Sequence, residues 1–213
     1  MKNNKQEIIA TAIALNTSGI NQGTSGNVSI RTTQGFLITP SGIPSTQLTI
    51  DDIVLMNLGG DVIEGKIPSS EWRFHCDIYN QRSDVNAIVH THSVYATALA
   101  CLEKDMPAFH YMVAMAGGNN IRCAPYATYG TQALSDAALL ALVDRKACLL
   151  AHHGVIATGV DLARAFALAS EVETLAQQYL IALAINEPDI LSDIEMERVV
   201  EKFETYGLNA IDK

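Results

Sequence analysis

Basic residues are scarce in this 213-residue sequence, which has 14 lysines and arginines against 23 aspartates and glutamates. No block of basic residues occurs, and the formal net charge is -9. Nucleic-acid binding requires lysine and arginine side chains that neutralise phosphates, so the charge balance argues against DNA or RNA as a partner. An anionic membrane surface would repel the same negative charge, so the sequence predicts no membrane partner either.

Long apolar runs and paired cysteines are absent as well. No stretch approaches the roughly 18–20 apolar residues that a membrane-spanning helix needs, and the first residues do not resemble a secretory signal. The four cysteines are far apart and form no Cys-x-x-Cys motif; they are Cys76, Cys101, Cys123 and Cys148. These features predict a cytoplasmic protein with reduced thiols.

The sequence does contain enough apolar material for one folded core. Hydrophobic residues make up 48% of the chain, charged residues 17% and aromatic residues 6%, which is the composition of a globular rather than a disordered protein. There is no internal repeat, low-complexity segment or linker. We therefore expect residues 1–213 to form a single domain.

Helix-like and strand-like patterns alternate along the chain. Helices are predicted at 5–18, from the Pro68-Ser69-Ser70 segment to Tyr79 with a serine as its cap, and at 94–102, 131–143, 161–184 and 192–205. Strands are predicted at 27–31, 36–39, 53–56, from Ala87 into the two histidines that follow, and at 147–150, with 106–129 irregular. This alternation favours an α/β class with a mixed or mostly antiparallel sheet.

The apolar segment 87–89 runs directly into His90 and His92. Alternate residues of a strand face the same side, so the two imidazoles would lie side by side and could share a metal ion, whereas Thr91 would face away. The alternative is that both histidines are simply polar residues at the end of a strand.

A third ligand could come from His152 or His153, which end the predicted strand 147–150 in a similar way. Neighbouring residues of a strand face opposite sides, so only one of the two can join the first pair. Periodicity does not decide which one joins. The alternative is that both occupy a turn.

Glu71 lies at the predicted start of a helix. Its carboxylate could complement the helix dipole there, or it could act as a general acid and base beside a metal ion. His75 lies one turn later on the same helix face, so Glu71 and His75 form a second possible ligand set. The simpler interpretation of His75 is a partly buried helix histidine.

Three small polar loops add hydrogen-bond donors: Ser25-Gly26-Asn27, Ser41-Gly42 and Ser69-Ser70. Each offers hydroxyl, amide or backbone N–H groups, and the third lies at a predicted helix N-terminus, where a phosphate binds favourably. Singly, each loop is no more than a turn or a cap. Beside a metal cluster, together they indicate a site for an anionic phosphate.

Five motifs occur in order along the chain: Gly23–Ser29, Thr39–Ile43, Pro68–His75, His90-Thr91-His92 and His152-His153-Gly154. Together with Pro125–Thr128 and Lys202–Gly207, these motifs resemble the class II aldolase and epimerase family over nearly the whole chain. The resemblance implies a three-layer α/β fold in which helices flank a central, mostly antiparallel sheet.

The resemblance also implies ligands and roles. One Zn²⁺ per subunit would be bound by His90, His92 and His153, with Glu71 as a further ligand, which selects His153 over His152. The substrate phosphate would be held by Gly26, Asn27, Ser41, Gly42, Ser69 and Ser70. Glu71 and Tyr111 would be catalytic. The aldehyde would lie near Tyr129, which stands in place of a family phenylalanine, and Tyr206.

The activity that the family implies is reversible cleavage of a ketose 1-phosphate. L-fuculose 1-phosphate is the expected substrate, and it would give dihydroxyacetone phosphate and L-lactaldehyde through a metal-stabilised ene-diolate. Family members are homotetramers with active sites at subunit interfaces, so we expect the same assembly here.

Two other reactions could use the same site: a pentulose-phosphate 4-epimerase and a methylthioribulose-phosphate dehydratase. Epimerase relatives usually carry aspartate in place of Glu71, which favours the aldolase. The alternative from another class is a non-catalytic interaction domain like the head of adducin. Adducin-type heads lack parts of the metal cluster that is complete in this sequence.

Overall fold

A computed structural model describes residues 1–203. Its helices are α1 (Lys2–Thr17), α2 (Trp72–Gln81), α3 (Val94–Ala100), α4 (Gln132–Ala141), α5 (Leu162–Ile185) and α6 (Asp193–Phe203). Its strands are β1 (Asn27–Thr32), β2 (Gly35–Ile38), β3 (Val54–Met56), β4 (Val62–Glu64), β5 (Ala87–Thr91), β6 (Met106–Pro107), β7 (Asn120–Ile121), β8 (Cys123–Ala124), β9 (Ala147–Leu150) and β10 (Gly154–Gly159). None of the helices within residues 1–203 combines the length and apolar composition that crossing a membrane requires.

One large sheet organises the molecule, with its strands in the order β4-β3-β2-β1-β5-β10-β9-β8. Its neighbouring strands are antiparallel except for β8 and β9, which are parallel. In the central strand β5, His90 lies opposite Asn27 of β1 on one side and opposite Ile156 of β10 on the other. The register therefore brings the start of β1, the end of β5 and the β9–β10 turn to one edge of the sheet.

Helices cover both faces of this sheet. Val89 packs into a buried cluster with residues of α1, α3 and α5, whereas its neighbour Ile88 packs into a second cluster with residues of α2 and α4. This alternation follows from the period of two in a strand and explains why strands buried on both faces are apolar at every position. The three-layer α/β fold with a mostly antiparallel sheet is confirmed.

Several local features differ from the sequence predictions. The short strands β4, β6, β7 and β8 were not predicted, and the last three lie in the segment 106–129 that was expected to be irregular. Helix α2 begins at Trp72 with Glu71 as its N-cap residue, and no serine side chain caps it; instead the hydroxyl of Ser69 accepts hydrogen bonds from the Glu71 backbone and from Asn27. Strand β10 was not predicted, because it is framed by Gly154 and Gly159 and glycine weakens a strand pattern. A Cβ on Gly154 would lie 2.3 Å from the Thr91 carbonyl oxygen, so close strand packing requires glycine there.

Candidate active site

His90 and His92 lie at the end of β5, with the second one residue beyond the strand. Their Nε2 atoms are 3.0 Å apart, so both rings face the same side as predicted. The Nδ1 atom of His90 lies 2.8 Å from the Val155 carbonyl oxygen. Because a carbonyl only accepts hydrogen bonds, Nδ1 carries the proton, and the lone pair of Nε2 points into the site.

The turn between β9 and β10 brings His153 rather than His152 to this pair. His152 has a left-handed backbone conformation with φ 54, and its Nε2 atom lies 2.8 Å from the Glu103 carboxylate. The His153 ring centroid lies 4.9 Å from that of His90 and 4.8 Å from that of His92, at interplanar angles of 82° and 87°. The three imidazoles therefore converge edge to face around one point.

Glu71 completes this group from the N-terminus of α2. Its Oε2 atom lies 3.1 Å from His90 Nε2 and its Oε1 atom 2.9 Å from His153 Nε2. The side chain is buried, and within residues 1–203 no hydrogen bond with acceptable geometry reaches Oε1. One ligand atom from each of the four side chains lies within 4.8 Å of the others.

The ionisation states of these groups suit metal binding. Burial alone would raise the pKa of Glu71, but the neighbouring His90 and His153 outweigh it and hold the pKa well below its usual range. Burial, together with the neighbouring His90 and His153, lowers the pKa of His92 to about 4. A carboxylate and neutral imidazoles are the forms that bind a metal ion.

The arrangement of lone pairs also fits a bound cation. The Nε2 atoms of His90 and His92 are too close to face each other unless a proton or a cation lies between them. Glu71 Oε1 is a buried oxygen that lacks a hydrogen-bond donor among residues 1–203, and such an atom is costly unless it is compensated. Three imidazole nitrogens and one carboxylate oxygen form a donor set typical of divalent transition metals.

A cleft of about 300 Å³ opens beside this group, and Glu71, His92 and His153 lie in its wall. The six residues expected to hold a phosphate all line it: Gly26, Asn27, Ser41, Gly42, Ser69 and Ser70. The backbone of the first loop approaches β5 closely, since a Cβ on Gly26 would lie 2.6 Å from the His90 carbonyl oxygen. Glycine at this position therefore lets the loop reach the metal group.

The residues expected on the aldehyde side are only partly brought to the cleft. Tyr129 lines it and is largely exposed. Tyr111 is half-exposed, packs its ring against Phe203 at a centroid distance of 6.4 Å, and is not among the described residues that line the cleft. Tyr206 lies outside the described residues.

Two residues of the cleft wall were not predicted to line the substrate pocket: Tyr126 was named only within the Pro125–Thr128 motif, and His152 only as an alternative metal ligand. Tyr126 and His152 line the cleft next to Tyr129, with the rings of Tyr126 and His152 edge to face at 5.9 Å. Both lie within motifs, the Pro125–Thr128 segment and the His-His-Gly turn, and this position was the signal in the sequence that could have placed them at the cleft.

The alternative ligand pair of Glu71 and His75 is not formed. His75 is fully buried, and both its ring nitrogens have hydrogen-bond partners: Nδ1 contacts the Ser29 hydroxyl and Nε2 contacts the Asn27 amide oxygen. Helix α2 turns His75 towards the core of the sheet, whereas Glu71 lies at the helix start and faces the cleft.

Comparison with known proteins gives consistent matches over most of the chain. The family described as "Class II Aldolase and Adducin N-terminal domain" matches residues 6–180. The chain is 54% identical over 211 residues to L-fuculose phosphate aldolase of Escherichia coli K12, covering 98% of both chains. It is 57% identical over 203 residues to 5-methylthioribulose-1-phosphate/5-deoxyribulose-1-phosphate aldolase of Rhodospirillum rubrum, covering 95% of this chain and 92% of the relative.

A solved structure of an L-fuculose 1-phosphate aldolase matches the fold with a TM-score of 0.93. That structure is 44% identical in sequence, and the match covers 95% of this chain and 96% of the other.

Proposed function

The chain belongs to the class II aldolase and adducin N-terminal domain family, and from that membership we propose that it is a lyase that reversibly cleaves a ketose 1-phosphate. The proposed substrate is L-fuculose 1-phosphate, and the products are dihydroxyacetone phosphate and L-lactaldehyde. The observation that carries this proposal is the convergence of Glu71, His90, His92 and His153 on one point in the wall of a cleft lined by phosphate-type donors.

Zinc is the proposed metal; His90, His92 and His153 would hold it, with Glu71 as a further, exchangeable ligand. Bound there, the ion would supply Lewis-acid chemistry that stabilises negative charge on the substrate oxygens. Support comes from the three imidazoles and the ionised carboxylate, since a catalytic zinc site keeps one exchangeable position.

The opposite part of the cleft holds the phosphate. Hydroxyl groups of Ser41, Ser69 and Ser70 donate hydrogen bonds to its oxygens, and the glycine loops together with Asn27 contribute backbone N–H groups. A chain with a net charge of -9 repels an anionic substrate at long range, so these local donors and the cation must offset that field.

Glu71 moves the proton at C3 of the ketose. In the cleavage direction, the C4 hydroxyl gives up its proton, the C3–C4 bond breaks, and its electron pair stays on C3. The proton of the C4 hydroxyl leaves through Tyr111 to water, while Glu71 takes up one proton from water and delivers it to C3, so that no net proton is gained or lost. In the aldol direction the same carboxylate removes the proton from C3. The low pKa of Glu71 in the free protein keeps it ionised and ready for the aldol direction.

Tyr111 is the proposed partner of the C4 hydroxyl, and it acts in the cleft of a neighbouring subunit. Support comes from its position, since it is half-exposed and does not line the cleft of its own chain within residues 1–203. We accordingly propose a homotetramer with active sites at subunit interfaces, in which Tyr129 and Tyr206 contact the aldehyde. The cytoplasmic location stays a prediction.

A single assay tests the proposal: L-fuculose 1-phosphate is added to purified protein, triose phosphate release is followed, and zinc is quantified in the same sample. We expect dihydroxyacetone phosphate release that a chelator abolishes and added zinc restores. Zinc-loaded protein that releases no triose phosphate from any ketose 1-phosphate would contradict it. An epimerase or a dehydratase would convert its substrate without releasing triose phosphate.

The Rhodospirillum rubrum relative supports a second candidate substrate, 5-deoxyribulose 1-phosphate or its 5-methylthio derivative. Both candidates share the phosphorylated three-carbon part and differ in the aldehyde that leaves. The ratio of kcat/KM values for the two substrates decides between them.

A further inference from the structure

A chain of buried hydrogen bonds runs from the core of the sheet to Glu71. The Tyr79 hydroxyl lies 2.7 Å from the Ser29 hydroxyl, which in turn lies 2.7 Å from Nδ1 of His75. Nε2 of His75 contacts the side-chain oxygen of Asn27. The Asn27 amide nitrogen lies 3.1 Å from Glu71 Oε2 and also 3.0 Å from the Ser69 hydroxyl.

The chemistry of its members gives this chain one direction. A carboxylate only accepts, so the Asn27 NH₂ group faces Glu71, and its carbonyl oxygen faces His75. His75 must then donate from Nε2, which leaves Nδ1 as an acceptor. The Ser29 hydroxyl therefore donates to His75 Nδ1 and accepts from the Tyr79 hydroxyl.

Burial keeps each group in the form that this direction requires. Ser29 and His75 are 0% exposed and Tyr79 is 2% exposed, so water does not compete for these hydrogen bonds. Burial, with a smaller contribution from His90, lowers the pKa of His75 to about 3. Burial also raises the pKa of the Tyr79 hydroxyl well above its usual range. His75 therefore stays neutral and Tyr79 stays protonated at neutral pH.

We propose that His75 is a positioning residue for the reaction: its Nε2–H group fixes the orientation of the Asn27 side chain, so that the Asn27 NH₂ group points at Glu71 and Ser69. This inference deepens the proposed function and rests on it, because Glu71 moves the proton and Ser69 binds the phosphate there. His75 touches neither the substrate nor the metal ligands in this role; it acts through Asn27.

Loss of the His75 N–H group should disturb Glu71 and the phosphate donors together. An Asn27 amide without a donor on its oxygen is free to rotate by half a turn, which would turn its oxygen towards the Glu71 carboxylate. Two facing oxygens repel each other, so Glu71 and the phosphate donors would lose their alignment together. Both kcat and KM should change, whereas a purely structural defect would lower the active fraction and leave KM unchanged.

The experiment compares three variants on the zinc-loaded protein. His75→Phe removes the donor, and we expect kcat/KM to fall about 10- to 100-fold with a raised KM for the phosphorylated substrate. His75→Gln keeps an N–H donor and should recover much of this loss. Tyr79→Phe removes an equally buried hydrogen bond but leaves His75 facing Asn27, so it is the matched control and should change KM less than about 2-fold.

Nuclear magnetic resonance of ¹⁵N-labelled protein gives a readout that does not depend on turnover. We expect His75 as the neutral tautomer with its proton on Nε2, and we expect the Asn27 amide signals to shift in His75→Phe and to return in His75→Gln. A proton on Nδ1, or Asn27 signals and KM that are unchanged in His75→Phe, would overturn the inference.

Different measurements would show a failure of the proposed aldolase activity and a failure of the positioning role of His75. If the unmodified protein cleaves no ketose 1-phosphate, the proposed function is wrong, and the tautomer and the Asn27 signals still decide whether His75 orients Asn27. If the unmodified protein is active and His75→Phe keeps its KM, the aldolase proposal stands and the positioning role is wrong. Should His75→Phe fail to fold, His75→Gln and the tautomer of the unmodified protein remain decisive.

Discussion

The carboxylate of Glu71 is set between two imidazoles and one amide, and this environment accounts for its proposed roles. Its two oxygens lie 3.1 Å from His90 Nε2 and 2.9 Å from His153 Nε2, while Asn27 donates to Oε2. Burial alone would raise the pKa of this carboxyl, but the neighbouring His90 and His153 hold it below its usual range, and the Asn27 amide also favours the ionised form. A carboxylate held this way can bind a cation and can accept a proton from a substrate carbon.

Glu71→Gln keeps the shape of the side chain and removes its negative charge. We expect kcat to fall about 100-fold or more, because general acid–base catalysis typically contributes that much, while three histidines still hold the metal. Steady-state kinetics with zinc analysis checks this. Glu195→Gln, at an exposed acid of α6 that pairs with Arg198, is the control and should keep full activity; an active Glu71→Gln would remove Glu71 from the mechanism.

The adjacent histidines of the His-His-Gly turn provide a second test at the level of single residues. His153→Ala removes one of three imidazoles that face the same point, and we expect zinc affinity to fall at least 10-fold with loss of turnover. His152→Ala removes a side chain that pairs with the exposed Glu103, so zinc affinity should be retained. Zinc titration against a competing chelator measures both; equal effects of the two changes would contradict the assignment.

Among the elements, β5 and β10 decide the geometry of the metal group. Their antiparallel register places Val155 opposite Thr91, and the carbonyl of Val155 accepts the proton of His90 Nδ1. The same pairing brings the β9–β10 turn, and with it His153, to the end of β5. One strand thus both orients the first histidine and delivers the third.

Gly154→Ala tests this pairing. The new Cβ would lie 2.3 Å from the Thr91 carbonyl oxygen, so the two strands must separate, and we expect a loss of stability of about 3 kcal/mol together with weaker zinc binding. Gly19→Ala is the control for zinc binding: Gly19 has a positive φ of 80, and nothing lies within 4 Å of its Cβ position. That change should cost about 1–2 kcal/mol and leave zinc binding intact. Urea unfolding and zinc titration provide the measurements.

For the molecule as a whole, acid stability should depend on the buried His75. Its pKa is about 3 in the folded protein and 6.5 ordinarily, so between these pH values the unfolded chain binds a proton that the folded chain does not. Stability must therefore fall as the pH is lowered from about 6.5 towards 3, by at most about 5 kcal/mol from this residue. Above 6.5 both states are neutral at this position, and its contribution is constant.

The measurement is the free energy of unfolding against pH in a chelator, for unmodified protein and for His75→Gln. The variant should lose less stability over this range, because glutamine does not titrate. Tyr79→Phe leaves His75 buried and should keep the steeper dependence. Parallel curves for unmodified protein and His75→Gln would show that His75 does not contribute to acid unfolding.

The assembly can be tested by mixing inactive subunits. Glu71→Gln and Tyr111→Phe each disable a site, but a mixed oligomer contains sites that combine the intact Glu71 of one chain with the intact Tyr111 of its neighbour. Refolding an equal mixture should restore up to about a quarter of full activity if the interface is shared in this way. Without any recovery in verified mixed oligomers, Tyr111 does not serve a neighbouring site.

Much of the fold and of the site follows from local sequence. Apolar runs that end in His90 and His92, the small polar loops and the alternation of helices with strands predict an α/β protein and name many of the side chains that line its cleft. The three-layer arrangement was implied by the family resemblance. Residues with period two on a strand share a face whatever the rest of the chain does, so the first two histidines could be paired without coordinates. The four metal ligands that the family resemblance implies are the four that converge.

Only the tertiary structure decided what depends on contacts between distant segments. Periodicity left His152 and His153 equivalent, and the left-handed backbone of His152 turns His153 inward. Strand β10 and the role of His75 could not be predicted from the sequence. No local pattern marks a glycine that permits close strand packing or a histidine that orients Asn27. Local propensity acts over a few residues, whereas these choices depend on partners such as Thr91 and Asn27, which are brought close only by the sheet.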